Sequence, residues 1–331
     1  MPYDRSKYIT RTPEESMCFD YMQAQDGFLA DKIFVPKVVD HVQKKIYQSD
    51  KSKLRKYIGK MRGTASTPIL IDEQFFSTNV TLNPYKYGRQ IDPVEERDAD
   101  APVRPLLGNG RAAALVTQAH LLEVEAEAVT LVTTTGNYAA AQTSAIASGS
   151  RWNETNGDPE ADSITAHQAI KTACGMHPNA LAIGDATLDK IQLSPYFRER
   201  TKYTGAGKVP VEYVKQMFGV EHLFVGSARV DSGIEGGTAS VAGFWSDYAL
   251  MYVYNPSPAV APEPGAVSYG HMYTLARRFW TTVTINEQLQ GPAGPMRTLQ
   301  MGAELALGAG MVVADGNGDF NAGYLFRTVV A

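Results

Sequence analysis

Between Gly110 and Thr135 the chain has no proline and no internal glycine, and its apolar residues return at helical spacing. Leu115, Ala119, Leu122, Ala126 and Val129 recur at steps of four and three, which places them on one helix face. Leu121, Ala128 and Leu131 widen that stripe, and Glu123 and Glu127 sit one turn apart, leaning toward solvent or a basic neighbour. Asn109 suits the N-cap and Gly136 the C′ position. Such a helix would run roughly 35 Å, the width of a small domain. A helix that long needs a sheet or a second helix along its apolar side, so the rest of the chain should be built against it.

Elsewhere glycine and proline cut the chain into shorter pieces. Residues 1 to about 50 read as an arm, with apolar residues sparse until Gly27-Phe28-Leu29-Ala30 and then Ile33-Phe34-Val35-Pro36. So sparse an arm cannot form its own core and should lie on another surface or be mobile. From Lys37 to Arg62 the charge turns basic, with Lys53, Arg55, Lys56 and Arg62 opposed by little. The run is either a solvated face or a contact to an acidic patch on a neighbouring copy, such as Asp92, Glu95, Glu96, Asp98 and Asp100. No aromatic residues are spaced through it as a nucleic-acid stacking platform.

Three extended segments follow at 67–72, 75–82 (with Phe75 and Phe76) and 85–91. A hairpin standing alone is marginal in water, so this excursion should project and gain stability from another subunit. A second folding unit starts near Ala161. Ile164, Ala166, Ala169, Ile170 and Ala173 make a helix face, capped by Asp162 or Ser163 and ended by Gly175. Ala180–Ile183 reads as a buried strand, and Asp185 opens a helix. Pro210 starts another helix, VEYVKQMF, which Gly219 ends. Strands are expected near 221–226, 247–254, 277–286 and 323–330.

Composition narrows the function. With 331 residues and a formal charge of −4, the chain has room for two domains and lacks the charge of a nucleic-acid binder. Cys18 and Cys174 make no disulfide framework. No apolar run reaches the ~20 residues that span a bilayer, and MPYDRSKYIT does not resemble a signal peptide. Gly108-Asn-Gly110-Arg-Ala-Ala113 imitates a dinucleotide motif but follows a Pro- and Asp-rich loop instead of a strand. Asp315-Gly-Asn317-Gly-Asp319 begins like a calcium loop, yet its sixth position is Phe320 and its twelfth Phe326, so a turn is expected. The six histidines form no zinc pattern, and no nucleophile elbow is present. Nothing marks a catalytic, cofactor-binding or metal site, and no enzyme is expected.

One ordered set of motifs stands out. It runs Trp152-Asn-Glu, Asp158-Pro159, a helix ending at Gly175, His177-Pro178-Asn179-Ala180-Leu-Ala-Ile183-Gly184, Leu193-Ser-Pro195 and Lys202-Tyr203. Phe218-Gly219-Val220, Val225-Gly226-Ser-Ala and Trp245 continue it, and Phe28-Leu29-Ala30 with Val35-Pro36 precede it. The set resembles the major capsid proteins of tailed bacteriophages, the Hong Kong 97-type fold.

That resemblance implies an α+β chain in four parts. Residues 1–52 would be the N-arm and 53–91 the extended E-loop hairpin. Residues 92–160, with the spine helix at about 110–135, would form the peripheral domain together with the return strands at 272–331. Residues 161–271 would be the axial domain. The subunit would assemble with itself into hexamers and pentamers of an icosahedral shell in the bacterial cytoplasm and end in the virion. It would enclose double-stranded DNA without reading its sequence. A separate scaffold, a portal and a decoration protein would be its partners, with no membrane and no cofactor. Phe28, Phe34, Lys53, Arg55, Lys56, Arg62, Phe75, Phe76, Asp92, Glu95 and Glu96 are the expected inter-subunit contacts. The alternatives are an encapsulin-like compartment of the same fold and an α/β enzyme built on 161–271.

Overall fold

The computed structural model describes Cys18 and residues 27–49, 75–91, 109–201, 208–231, 233, 240–256, 267–275, 280–291, 294–309 and 320–331. The expected strand at 67–72, the basic residues from 50 to 62, the acidic stretch 92–105 and the Asp315–Asp319 turn lie outside the described residues.

The elements follow in chain order. The first are α1 (Ala30–Ile33), β1 (Phe34–Val38), β2 (Gln43–Ser49), β3 (Phe75–Thr81), β4 (Asn83–Ile91), α2 (Asn109–Thr133) and β5 (Thr143–Ala145). Next come α3 (Pro159–Cys174), β6 (Ala180–Gly184), α4 (Asp185–Gln192), α5 (Pro195–Thr201), α6 (Val211–Phe218), β7 (His222–Gly226), β8 (Arg229–Asp231) and β9 (Val241–Gly243). The last are β10 (Ala249–Tyr252), β11 (Gly270–Thr274), β12 (Trp280–Gly291), β13 (Gly294–Ala309) and β14 (Gly323–Arg327).

Two five-stranded sheets carry the architecture. In one, the order is β5-β14-β10-β6-β7. Its strands are apolar without alternation, ALAIG in β6 and ALMY in β10, because both faces are covered. Ala180, Ala182, Leu250, Tyr252 and Leu325 point into a core shared with α2. Leu181, Ile183, Ala249, Met251, Tyr324 and Phe326 point the other way, onto Trp152 and the apolar faces of α3, α4 and α6. Here β5 and β14 join strands of the 161–271 unit, so this sheet draws on both the middle and the end of the chain.

In the other sheet the order is β1-β11-β13-β12, with β4 on the second edge of β13. It buries one face against α2. Leu299, Met301, Ala303 and Leu305 are buried, while Gln300 between them is exposed. Antiparallel partners across β13 and β4 share a side, so Tyr85, opposite Ala303, and Tyr87, opposite Met301, also face the helix. β13 was not expected from sequence. Its Met, Leu, Glu and Ala favour a helix, and the period-two pattern is visible only once Gly302 and Gly308 are read as close-packing sites. Pro36 sits at the middle of β1, whose one partner among the described residues is β11.

The spine helix forms as expected, but its buried stripe is turned. Ala112, Ala113, Val116, Thr117, His120, Leu121, Val124, Glu125, Ala128 and Val132 are buried, whereas Leu115 is 47% exposed. Apolar residues cover most of the helix, so sequence spacing alone selects its face poorly. Gly136 is not a left-handed stop. Thr134 leaves in an extended conformation, and Asn137 Nδ2 donates to Leu131 O, satisfying one terminal carbonyl.

In α3 the cap is Asp158, which accepts from Ala161 N, with Pro159 at the first turn and left-handed Gly175 at the end. Ile164, expected inside, is 53% exposed; the buried row is Ser163, Ala166, Ile170 and Cys174. Gly219 ends α6 in the left-handed region, as expected.

Residues 27–34 are also not a surface strap. Leu29, Ile33 and Phe34 are fully buried, and Phe34 packs against the rings of Tyr269 and Phe320. The few apolar residues of the arm are thus used inside the subunit itself.

Candidate assembly surfaces

Apart from the two large sheets stands a two-stranded ribbon. β2 and β3 pair antiparallel from Gln43↔Thr81 to Ser49↔Phe75, and no third strand joins them among the described residues. The expected hairpin within 63–91 is therefore built differently. Its first strand is 43–49, and β4 leaves it to pair with β13 over nine residues, from Asn83 to Ile91. Val39, Leu82, Tyr273 and Ala306 form a small buried cluster at its root, flanked by Val80 and Leu275. Leu82 N donates to Val42 O and Val39 N to Thr274 O, which fixes both strands where they leave the body. Seven residues of strand reach about 24 Å. A two-stranded ribbon of this kind has too little apolar burial to stand alone in water. Val38 and Val42 near its base are 59% and 43% exposed.

Charge at the root is modest. Lys44 Nζ lies 2.8 Å from Asp40 Oδ2 on the surface. The Lys44 hydrogen bond and charge hold the Asp40 carboxyl below its usual range. Burial pushes Lys37 down, helped by repulsion from Lys44. On β11, burial followed by the charge of Lys37 pushes His271 down to about 4, against a smaller upward pull from its Val35 backbone contact.

A second, smaller ribbon pairs β8 with β9. Val241 is 59% exposed there, and Asp231 Oδ1 accepts from Gly233 N and Ser240 N.

Of the expected contact residues, Phe28 is half-buried against the core shared with α2, and Phe34 is enclosed by its own chain, with no face left for a neighbour. That corrects the expectation for Phe34: the apolar run feeds the core rather than a partner. Phe75 and Phe76 lie on β3, opposite Ser49 and Gln48. Lys53, Arg55, Lys56, Arg62, Asp92, Glu95 and Glu96 lie outside the described residues.

Of two polar features on α2, one departs from the sequence reading and the other went unmarked in it. Glu127, expected to lean outward, accepts from the Tyr85 hydroxyl, and burial followed by that bond pushes the phenol well above its usual range. Glu125 is buried within the stripe; a carboxylate beside Val124 and Ala128 was the available signal. Among the described residues no group of three His, Cys, Asp or Glu could hold a metal, and no helix is long and apolar enough to cross a membrane.

No family model matches the chain. A curated relative named "Major capsid protein", from the Burkholderia phage BcepMu, is 23% identical over 213 residues, covering 64% of this chain and 67% of that protein. Among solved structures, a phage-related protein from Bordetella bronchiseptica RB50 superposes with a TM-score of 0.71 at 21% identity, covering 97% of this chain and 98% of that one. The virus-like particle from Pyrococcus furiosus gives 0.53 at 12% identity, with coverages of 95% and 98%. The capsid structure of cyanophage P-SCSP1u gives 0.53 at 7% identity, with coverages of 99% and 92%. The resemblance carried by the ordered motifs is borne out: this chain has the α+β, Hong Kong 97-type fold of the tailed-phage major capsid proteins.

Proposed function

We infer that the chain is a phage major capsid protein, a structural subunit and not an enzyme, which copies of itself complete into a closed icosahedral shell. One observation carries this beyond fold and kinship. A well-cored body carries a two-stranded ribbon that is rooted by Val39 and Leu82 against Tyr273 and Ala306 and has no third strand among the described residues. Only another surface can supply the missing burial, and in a shell that surface is the next copy. Obligate interfaces commonly bury 2,000 Å² or more in total, which such a ribbon can help provide.

The finer reading follows the same logic. Hexamers and pentamers would form around the 161–271 unit. The N-arm (1–52) and the E-loop (53–91) would reach neighbours, and the spine helix with 272–331 would form the periphery. We place assembly in the bacterial cytoplasm around a separate scaffold, with a portal and a decoration protein as further partners. The fold is shared with a virus-like particle, so fold alone does not choose between phage shell and encapsulin-like compartment. The sequence relative is a phage protein and favours the first.

Electron microscopy of the expressed full-length chain, with and without a co-expressed scaffold, tests the proposal. Closed, uniform shells or ring-shaped capsomers are expected. A monodisperse monomer under both conditions, across protein concentrations, would overturn it.

A further inference from the structure

Glu125 is a buried carboxylate whose donors among the described residues are all neutral N–H groups. Leu29 N lies 3.0 Å from each of its oxygens, Ala30 N is 2.8 Å from Oε2, and Trp245 Nε1 is 2.6 Å from Oε1. These donors come from different parts of the chain. Leu29 and Ala30 open the buried segment that leads into β1. Trp245 lies in the bend between β9 and β10 and packs against the ends of β6 and β7: a Cβ on Gly226 would sit 2.5 Å from its ring, and one on Gly184 would sit 1.9 Å from its carbonyl oxygen. Gly27 O in turn accepts from Ser227 N and Ala228 N, so the arm segment is also tied directly to the end of β7.

Tyr252 Oη also donates to Lys32 O, 3.0 Å away, which ties β10 to the same segment, but between the spine helix and the β5-β14-β10-β6-β7 sheet the shared core is apolar. Ala180, Ala182, Leu250 and Leu325 belong to the same continuous core as Val116, Leu121, Val124 and Ala128. Apolar burial is non-directional, and a small slide of one layer over the other changes it little. Hydrogen bonds to a carboxylate are directional, strong, and costly to leave unmade away from water.

We propose that Glu125 is a registration pin: it sets the spine helix against Trp245 and the residue 27–34 segment, where apolar packing alone would leave the helix free to slide. This deepens the shell-subunit reading and rests on it in one respect, that the selected setting is the tile shape used for assembly.

Hydrogen exchange read by mass spectrometry on the unassembled full-length chain tests the pin, and shell formation is scored separately by imaging. In Glu125→Gln the side chain keeps its size but turns an N–H₂ toward N–H donors. Peptides covering 27–34 and 245 should exchange at least roughly tenfold faster, while 180–184 stays within about twofold. Trp245→Phe removes one donor and should speed 27–34 about threefold, which keeps the test open if the glutamine variant does not fold. Unchanged protection of 27–34 in the folded variants, or an equal acceleration everywhere, would overturn the pin and leave Glu125 as ordinary core. Normal exchange changes with no shells would instead count against the capsid reading alone.

Discussion

The two five-stranded sheets of this protein solve the same problem in opposite ways. The β5-β14-β10-β6-β7 sheet is covered on both faces, so every residue of β6 and β10 is buried. The β1-β11-β13-β12 sheet with β4 covers one face with the spine helix and leaves residues such as Lys86, Gly88, Gln90 and Gln300 exposed on the other. The first sheet specifies itself by volume: there is no free side to absorb an error. The second specifies itself by alternation, and its open side can yield.

The largest predicted contrast is between two glycines. A Cβ on Gly184 would meet the Trp245 backbone carbonyl at 1.9 Å, and backbone cannot swing aside. Gly184→Ala should abolish recovery of folded protein. A Cβ on Gly302 would meet the Trp280 ring at 2.1 Å, but that ring is half-buried and can rotate outward. Gly302→Ala should therefore cost about 1–3 kcal/mol in chemical denaturation. Equal losses in both would erase the distinction.

Next come side-chain truncations. Leu181→Ala empties a fully buried site in the doubly covered sheet and should cost about 2–5 kcal/mol. Gln300→Ala on the open face should stay within about 0.5 kcal/mol. Denaturant midpoints with unchanged slopes would measure both.

A third test uses acid and addresses the single-faced sheet. His271 titrates near 6.5 when unfolded and near 4 when folded. Between those values the unfolded chain binds more protons, so stability falls as the pH drops through that window and levels off below it. The loss attributable to this group is about 3 kcal/mol at most. In His271→Gln, melting temperature against pH should be flatter than wild type between 6.5 and 4. Parallel curves would show that His271 is not the titrating group.

The smallest effect belongs to the helical cover of the other sheet. The Lys208–Asp189 pair is close, at 2.7 Å, but both side chains are more than half exposed. Lys208→Ala should change stability by less than about 0.5 kcal/mol, and by less still in high salt.

The same contrast explains what could be read from the amino acids. β6, α3 and α6 were legible because local chemistry decides them. Gly175 and Gly219 adopt the left-handed conformation that ends a helix, Pro159 starts one, and ALAIG is too apolar to be anything but inside. The spine helix was legible as an element but not in orientation. It packs against β4 and β13 and shares its core with the covered sheet, so its true buried row passes through Thr117, His120 and Glu125 rather than the larger Leu115. β13 was missed because its composition favours a helix, and only pairing with β4, β11 and β12 makes it a strand. The ribbon was read as projecting, yet its first strand, QKKIYQS, carries no apolar alternation to announce it. Its partner segment lies across a long stretch of intervening chain, so a local pattern could not name the pair. Glu125 was passed over because the value of a carboxylate depends on donors roughly a hundred residues away in either direction.

Pro36, at the middle of β1, has a consequence for proteins made in large numbers. A proline has no N–H to offer a further strand and is tolerated within a sheet where that side faces outward. At position 36 that rim thus has no donor to give another copy's backbone. Backbone pairing of crowded copies along that rim would lack this bond, which disfavours fibre growth there and suits the sealed container proposed above.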